Sequence, residues 1–293
     1  MPELYYKPSG KFSPPGLLLG LIGGTAGGAA FGAAYTRLVY YLPNVYINVF
    51  GTVALGAGLG FVVGWLLAVG KVRSPLLGRI TFLVSAAAAI YLSWVVWVYL
   101  LLTQAGIKFG GFAVLLEPRN LWPVIVELNA SGVWTFKGSM PKGWLLWTIW
   151  VGEAAIILVV GMLVVNWKLK LTAFCERCVA WCTSPGEPWR FAYAAQPDDL
   201  RQALELKDYS KVSALVGAAD DSGAWSEFAL QSCPQCRETN ALTVENVTVT
   251  TNAKGKAEQK RARIVHHLLL GSSEVDELRR VTNRPPPALD VKS

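Results

Sequence analysis

Histidine is almost missing from this chain: 293 residues contain two, and they are neighbours, His266 and His267. Mechanisms that turn on a histidine base therefore lack material. No P-loop, H-E-x-x-H, G-x-S-x-G or Ser/His/Asp grouping stands out either. Charge is scarce as well, at 16% of residues, where an ordinary globular chain carries about 25%. With 53% hydrophobic residues, that shortfall excludes a disordered chain and argues against a single water-soluble domain. Five cysteines are far too few for a disulfide scaffold. The chain reads as non-enzymatic.

What is present divides in two. Residues 1–167 hold 10 Lys/Arg and 4 Asp/Glu, net +6, whereas residues 168–293 hold 17 and 16, net +1. The basic balance thus belongs to the apolar half and does not describe a nucleic-acid-binding face. Crossing a bilayer core takes roughly 20 apolar helical residues. Four stretches qualify: Gly16–Tyr40, Ile47–Gly70, Leu76–Leu102 and Trp144–Trp167. The first is longer than the core of a signal peptide and follows the polar stretch Met1–Pro15, so it is expected to persist as a mature helix.

Orientation follows the basic residues of the short loops. Lys71, Arg73 and Arg79 lie between spans two and three, and Lys168 and Lys170 follow span four, while Tyr41–Tyr46 has no charge. Both termini are expected in the cytoplasm of a multi-pass protein of the cell (inner or plasma) membrane. The third loop, 103–143, then faces outside, although Lys108, Arg119, Lys137 and Lys142 argue mildly against this. Within it, Leu121, Trp122, Ile125 and Leu128 recur at helical spacing. Together with Trp134, Trp144 and Trp147 they suit an amphipathic segment at the headgroups, a plain surface loop being the alternative. The loop also carries the sequon Asn129-Ala130-Ser131.

Span one has glycine at Gly16, Gly20, Gly24, Gly28 and Gly32, and span two at Gly56, Gly60 and Gly64, all at i, i+4. Glycine costs a helix about 1 kcal/mol per residue in water, so such stripes need a reason, and close helix packing supplies it. They serve either a tight hairpin of the first two helices or self-association into an oligomer or pore. Glu153 is the only acid inside a span, roughly 13 Å from its outer end at helical rise. It is expected to face other helices, with Ser93 at a similar level and Arg37 able to reach toward it. A polar anchor and a proton- or ion-handling group are the two readings.

The strongest chemical signal is Cys175-Glu176-Arg177-Cys178 paired with Cys233-Pro234-Gln235-Cys236. A two-residue gap lets both sulfurs of a turn point at one centre, and two such units supply the four thiolates of a tetrahedral zinc site. With no open position, such zinc is structural. A redox dithiol, juxtamembrane palmitoylation and an Fe–S cluster are the alternatives. Cys182, four residues past Cys178, is expected to share a helix face with it as a small buried hydrophobe. His266 and His267, in a strand pattern, are expected on opposite faces, as ordinary sheet residues.

Between the cysteine pairs, Pro197-Asp198-Asp199 opens a helical pattern through Leu200, Ala203, Leu204 and Leu206. A second such pattern, with Val212, Leu215 and Val216, closes at Gly217. Strand patterns follow at Trp225–Leu230, Ala241–Thr251 and Ile264–Leu270, with a glycine turn at Ala253–Lys256. A short helix begins at Ser272/Ser273, and the tail 284–293 reads as disordered. The order of knuckle, inserted helices 197–217, knuckle and hairpin resembles a zinc ribbon over Phe174–Leu270. That resemblance implies an α+β domain at 168–283, while the apolar runs imply an α-helical membrane domain of four transmembrane helices at 1–167. The function expected is a membrane-anchored structural-zinc module that docks a protein partner. The alternative is a subunit of a small channel, transporter or oligomeric membrane complex using the glycine stripes and Glu153. Lys254, Lys256, Lys260, Arg261 and Arg263 raise nucleic-acid binding as a third reading, which the near-neutral domain argues against.

Overall fold

Ser13, Asn44 and Ser74 each stand just ahead of a long apolar run, and each caps a helix. In the computed structural model, which describes residues 3–42, 44–133, 140–217, 223–251 and 256–282, the Ser13 hydroxyl accepts from Gly16 N at 3.2 Å and opens α1 (Pro14–Tyr41). Asn44 accepts from Tyr46 N at 2.9 Å and opens α2 (Val45–Val69). Ser74 accepts from Leu77 N at 3.3 Å and opens α3 (Pro75–Gln104). These side chains satisfy amides that have no partner in the first turn. Proline at the first position of α1 and α3 already has a helical φ and no N–H to lose. After α4 (Phe112–Leu115) and α5 (Pro118–Ser131) comes α6 (Trp144–Lys170), which ends on Lys168 and Lys170, where cations favour the helix dipole. The helices α1, α2, α3 and α6 are long and apolar enough to be candidate membrane spans.

The chain divides into two units, Ser9–Leu171 and Met1–Pro8 with Thr172–Ser293. The boundary falls after Leu171, and the first residues, as far as Pro8, belong to the C-terminal unit, an assignment absent from the sequence reading. In the helical unit, α1 packs on α2 and α3, and α6 packs on the same two helices from elsewhere. Leu59, Val63, Leu67, Phe82, Ala86 and Val165 are buried at the shared seam. Both glycine stripes are spent inside this one chain. A Cβ on Gly28 or Gly32 would meet the carbonyl oxygens of Ser85 or Ala89 in α3 at 2.6 and 2.4 Å. One on Gly56 or Gly60 would meet those of Ile157 or Gly161 in α6 at 2.7 and 2.5 Å. The stripe of α1 therefore faces α3 as well as α2, and that of α2 faces α6, rather than both meeting in one hairpin.

The helical spacing expected at 118–129 is α5, which buries Leu121 and Ile125 against Val95 and Val98 of α3. Trp122, expected on the same face, instead points outward and stacks on Trp147 at 5.6 Å. Asn129 of the sequon is buried, and its amide donates to the Gly143 carbonyl at 3.0 Å while Gly143 N donates back to its carbonyl at 3.0 Å. It ties α5 to the start of α6, so it is not an accessible acceptor for a sugar. Trp134, Lys137, the turn at 253–255 and the tail lie outside the described residues.

The second unit holds a two-stranded sheet, β1 (Phe174–Cys175) with β2 (Ala180–Trp181). A four-stranded antiparallel sheet joins β3 (Trp189–Ala192), β4 (Ala224–Ser232), β5 (Asn240–Thr251) and β6 (Ala257–Leu270) in that order. The inserted helices are α7 (Pro197–Glu205) and α8 (Tyr209–Leu215), and α9 (Ser272–Val281) follows β6. Alternation along β4 sends Ser226, Phe228 and Leu230 inward. Phe228 stands edge-on to Phe191 at 4.9 Å and shares one buried core with Leu200, Leu204, Leu242, Leu268 and Leu278. The buried Ser226 hydroxyl is satisfied, donating to Asn246 Oδ1 at 2.6 Å and accepting from Ala194 N at 2.9 Å, while Asn246 Nδ2 donates to Ala194 O. Residues Leu4–Tyr6 lie along the outer edge of β6, where Tyr5 pairs with Leu268.

Candidate metal centre

Each C-x-x-C unit is the tip of a hairpin. In the first, Cys175 ends β1 and pairs with Ala180 of β2, so residues 176–179 must reverse the chain at once. In the second, the tip joins β4 to β5: Cys233 N donates to Thr239 O at 2.9 Å, and Arg237 N donates to Cys233 O at 3.2 Å. Both tips turn the same way, because the residue after each second cysteine has a positive φ, 51° at Val179 and 57° at Arg237. A β-branched valine in that region is an outlier, and its repetition at equivalent places marks the turn that aims paired sulfurs at one point. The two tips are stitched together by reciprocal bonds between Thr183 and Ser232, at 2.9 and 2.8 Å. Arg177 of one tip also pairs with Glu238 of the other. That pair is exposed and adds little.

The result is four sulfurs, of Cys175, Cys178, Cys233 and Cys236, all within 4.8 Å of one another, although 54 residues lie between Cys178 and Cys233 in the sequence. Cys175 Sγ and Cys236 Sγ stand 3.7 Å apart. A disulfide needs about 2.05 Å, whereas the edge of a tetrahedron built on metal–sulfur bonds of about 2.3 Å is about 3.8 Å. These residues could hold one metal ion.

The electrostatics point the same way. Burial works to raise the Cys233 thiol, but the backbone N–H groups of Cys236 and Gln235 aimed at it bring it down to about 6. Cys178, hydrogen-bonded to Cys236 and then desolvated, is pushed up to about 12. Four thiols this close cannot all ionise side by side without a cation among them. Cys182, by contrast, stands outside the quartet. It follows β2 in extended chain, not on a helix with Cys178, and its N–H donates to Ala173 O at 2.8 Å. Burial pushes its thiol up to about 12, which makes it the small buried hydrophobe expected, in a different setting.

His266 and His267 do not alternate across the sheet. Leu242 pairs with Leu268 and Val244 with Val265, so both histidines oppose Thr243 alone. This bulge, with φ 54° at His267, stacks the two rings 4.0 Å apart. Burial holds His267 down to about 4, and neither histidine belongs to the sulfur cluster.

In the helical unit, Glu153 is half-buried and accepts from Asn48 Nδ2 at 2.5 Å. Asn48 Oδ1 in turn accepts from Tyr35 OH at 2.6 Å, and the Thr52 hydroxyl lies 3.0 Å from that phenol. The expected companions are elsewhere. Ser93 bonds back to Ala89 O at 2.7 Å, its own carbonyl accepting from Thr36, and Arg37 is exposed. Asn48 and Thr52, at i, i+4 on α2, are the signal in the sequence for this network, two polar side chains on one face of an apolar helix. No protein-family model, curated protein or solved structure matches this chain.

Proposed function

We propose that this chain is a four-span integral membrane protein that carries a structural-zinc domain as a non-enzymatic docking module for another protein. The observation that carries the reading is the convergence of four sulfurs at tetrahedral spacing from two hairpin tips. Zinc suits four thiolates in a tetrahedron, and a closed shell leaves no position for a catalytic water. An Fe–S cluster would bind its sulfurs through separate irons and hold them farther apart. Membrane insertion is supported by the four apolar helices. That Met1–Pro8 and Thr172–Ser293 share one folded unit fits an even number of crossings with both ends on one side. Lys71, Arg73, Arg79, Lys168 and Lys170 favour the cytoplasmic side, where thiols stay reduced.

Elemental analysis of the intact protein in detergent is the first test, with about one zinc per chain expected. Cross-linking in native membranes is the second. A partner adduct that disappears in Cys236→Ser supports docking, and identical adducts in both proteins sink it.

A channel or transporter subunit is the second reading, and the Glu153 network decides how it is tested. Asn48 separates Glu153 from Tyr35, and an amide passes protons poorly, so the network is built as an anchor. Glu153→Gln keeps an acceptor for Asn48 and is expected to change stability by less than about 1 kcal/mol, whereas Asn48→Leu strands the carboxyl and costs about 1–3 kcal/mol. Thermal unfolding in detergent measures both. Proton or ion flux in liposomes that is lost in Glu153→Gln would overturn the anchor.

A further inference from the structure

The N-terminal strand is short, and among the described residues two backbone bonds hold it: Tyr6 N donates to His267 O at 2.8 Å, and Leu269 N donates to Leu4 O at 2.9 Å. Pro8, without an N–H, cannot extend the pairing. Three residues and two bonds are marginal on their own, so side chains must fix the strand. They go to two different places. Leu4 and Tyr5 pack on the main core, and Tyr5 OH donates to Glu205 at 2.5 Å. Tyr6 packs against a separate cluster of Ala173, Cys175, Cys182, Cys233 and Ala241, its ring edge-on to His267 at 6.0 Å. Two of the residues walling the Tyr6 seat are thus proposed metal ligands.

We infer that the metal centre governs the N-terminal strand: metal binding builds the seat of Tyr6 and holds residues 3–7 on β6, and metal loss releases them. This rests on the metal reading. Without a cation no bond joins the four sulfurs, and the two hairpin tips are held to each other chiefly by the Thr183–Ser232 pair, so the wall behind Tyr6 loosens. The strand leads within a few residues into Ser13 and α1, so the chain entering the first span is tethered or free according to the state of the centre. Coupling of this kind is reciprocal. A seat that needs metal must in return strengthen metal binding.

Hydrogen exchange with mass spectrometry on the full chain in detergent tests this, with metal content measured in each sample. Chelation is expected to speed exchange of the Tyr6 and Leu269 amides at least about fivefold, and zinc is expected to restore it. Tyr6→Ala separates the device from general unfolding. This variant is expected to keep zinc and protection around Phe228 and Val244, to expose residues 3–7, and to bind zinc about fivefold or more weakly in competition with a chromophoric chelator. A stripped centre with an unchanged N-terminal strand overturns the inference alone, as does Tyr6→Ala with wild-type zinc affinity. A purified chain that carries no metal overturns the metal reading itself.

Discussion

Cys233→Ser is expected to abolish metal binding and unfold the C-terminal unit, while Cys182→Ala leaves about one zinc per chain. Both sulfurs are buried, and they lie in the same small cluster, so burial alone would not distinguish them. Geometry does. Cys233 sits within 4.8 Å of three other sulfurs and Cys182 is not of that set. Structural zinc contributes an apparent 10–16 kcal/mol or so in small domains, comparable to or above the roughly 5–15 kcal/mol of net stability a domain possesses. A serine hydroxyl is a poor substitute for a thiolate and leaves three sulfurs facing one another. The Cys182 thiol is neutral and packed as an apolar group, so its loss costs a small cavity, about 1–2 kcal/mol. Elemental analysis and limited proteolysis of the detergent-solubilised chain check both. Metal retained in Cys233→Ser, or lost in Cys182→Ala, would mean that the ligand set is wrong.

The cysteine pairs were legible because each half of the site is local: two residues of spacing fix two sulfurs on one turn. The long apolar runs were legible for a similar reason, since length and composition along the chain are all that a candidate span requires. The features that escaped have partners far away in sequence. Leu4–Tyr6 finds β6 across some 260 residues, and three residues carry no periodicity. The strand β3 is four residues long and depends on β4 for its existence. The His266/His267 bulge needs a positive φ at a residue that gives no warning of it. Asn48 became the partner of Glu153 through the rotation of α2 about its axis, which hydropathy does not report. For the glycine stripes, the pattern announced a close contact, but the surface it meets is a property of the fold.

Gly60→Ala is expected to destabilise the helical unit of a single chain by about 3 kcal/mol or more, whereas Gly152→Leu is expected to change it by less than about 1 kcal/mol. Both glycines lie within candidate spans. An added Cβ at Gly60 would stand 2.5 Å from the Gly161 carbonyl oxygen and 2.9 Å from its Cα, and at Gly152 it would meet nothing within 4 Å. The obstacle at Gly60 is backbone, which cannot turn aside as a side chain can, so α2 and α6 must separate along their length. Moving them apart forfeits the dispersion contacts that lipid tails cannot replace. Position 24 is a softer case, because its neighbours are the Ser85 and Val63 side chains, at 2.6 and 2.9 Å. The comparison also separates packing from self-association. If the stripes joined separate copies, Gly60→Ala would yield a folded monomer from an oligomer. Because they are consumed within the chain, the same substitution lowers the unfolding midpoint without changing the mass of the folded particle. Light scattering beside thermal unfolding in detergent reads both quantities, and a stable monomer released by Gly60→Ala would reverse the assignment.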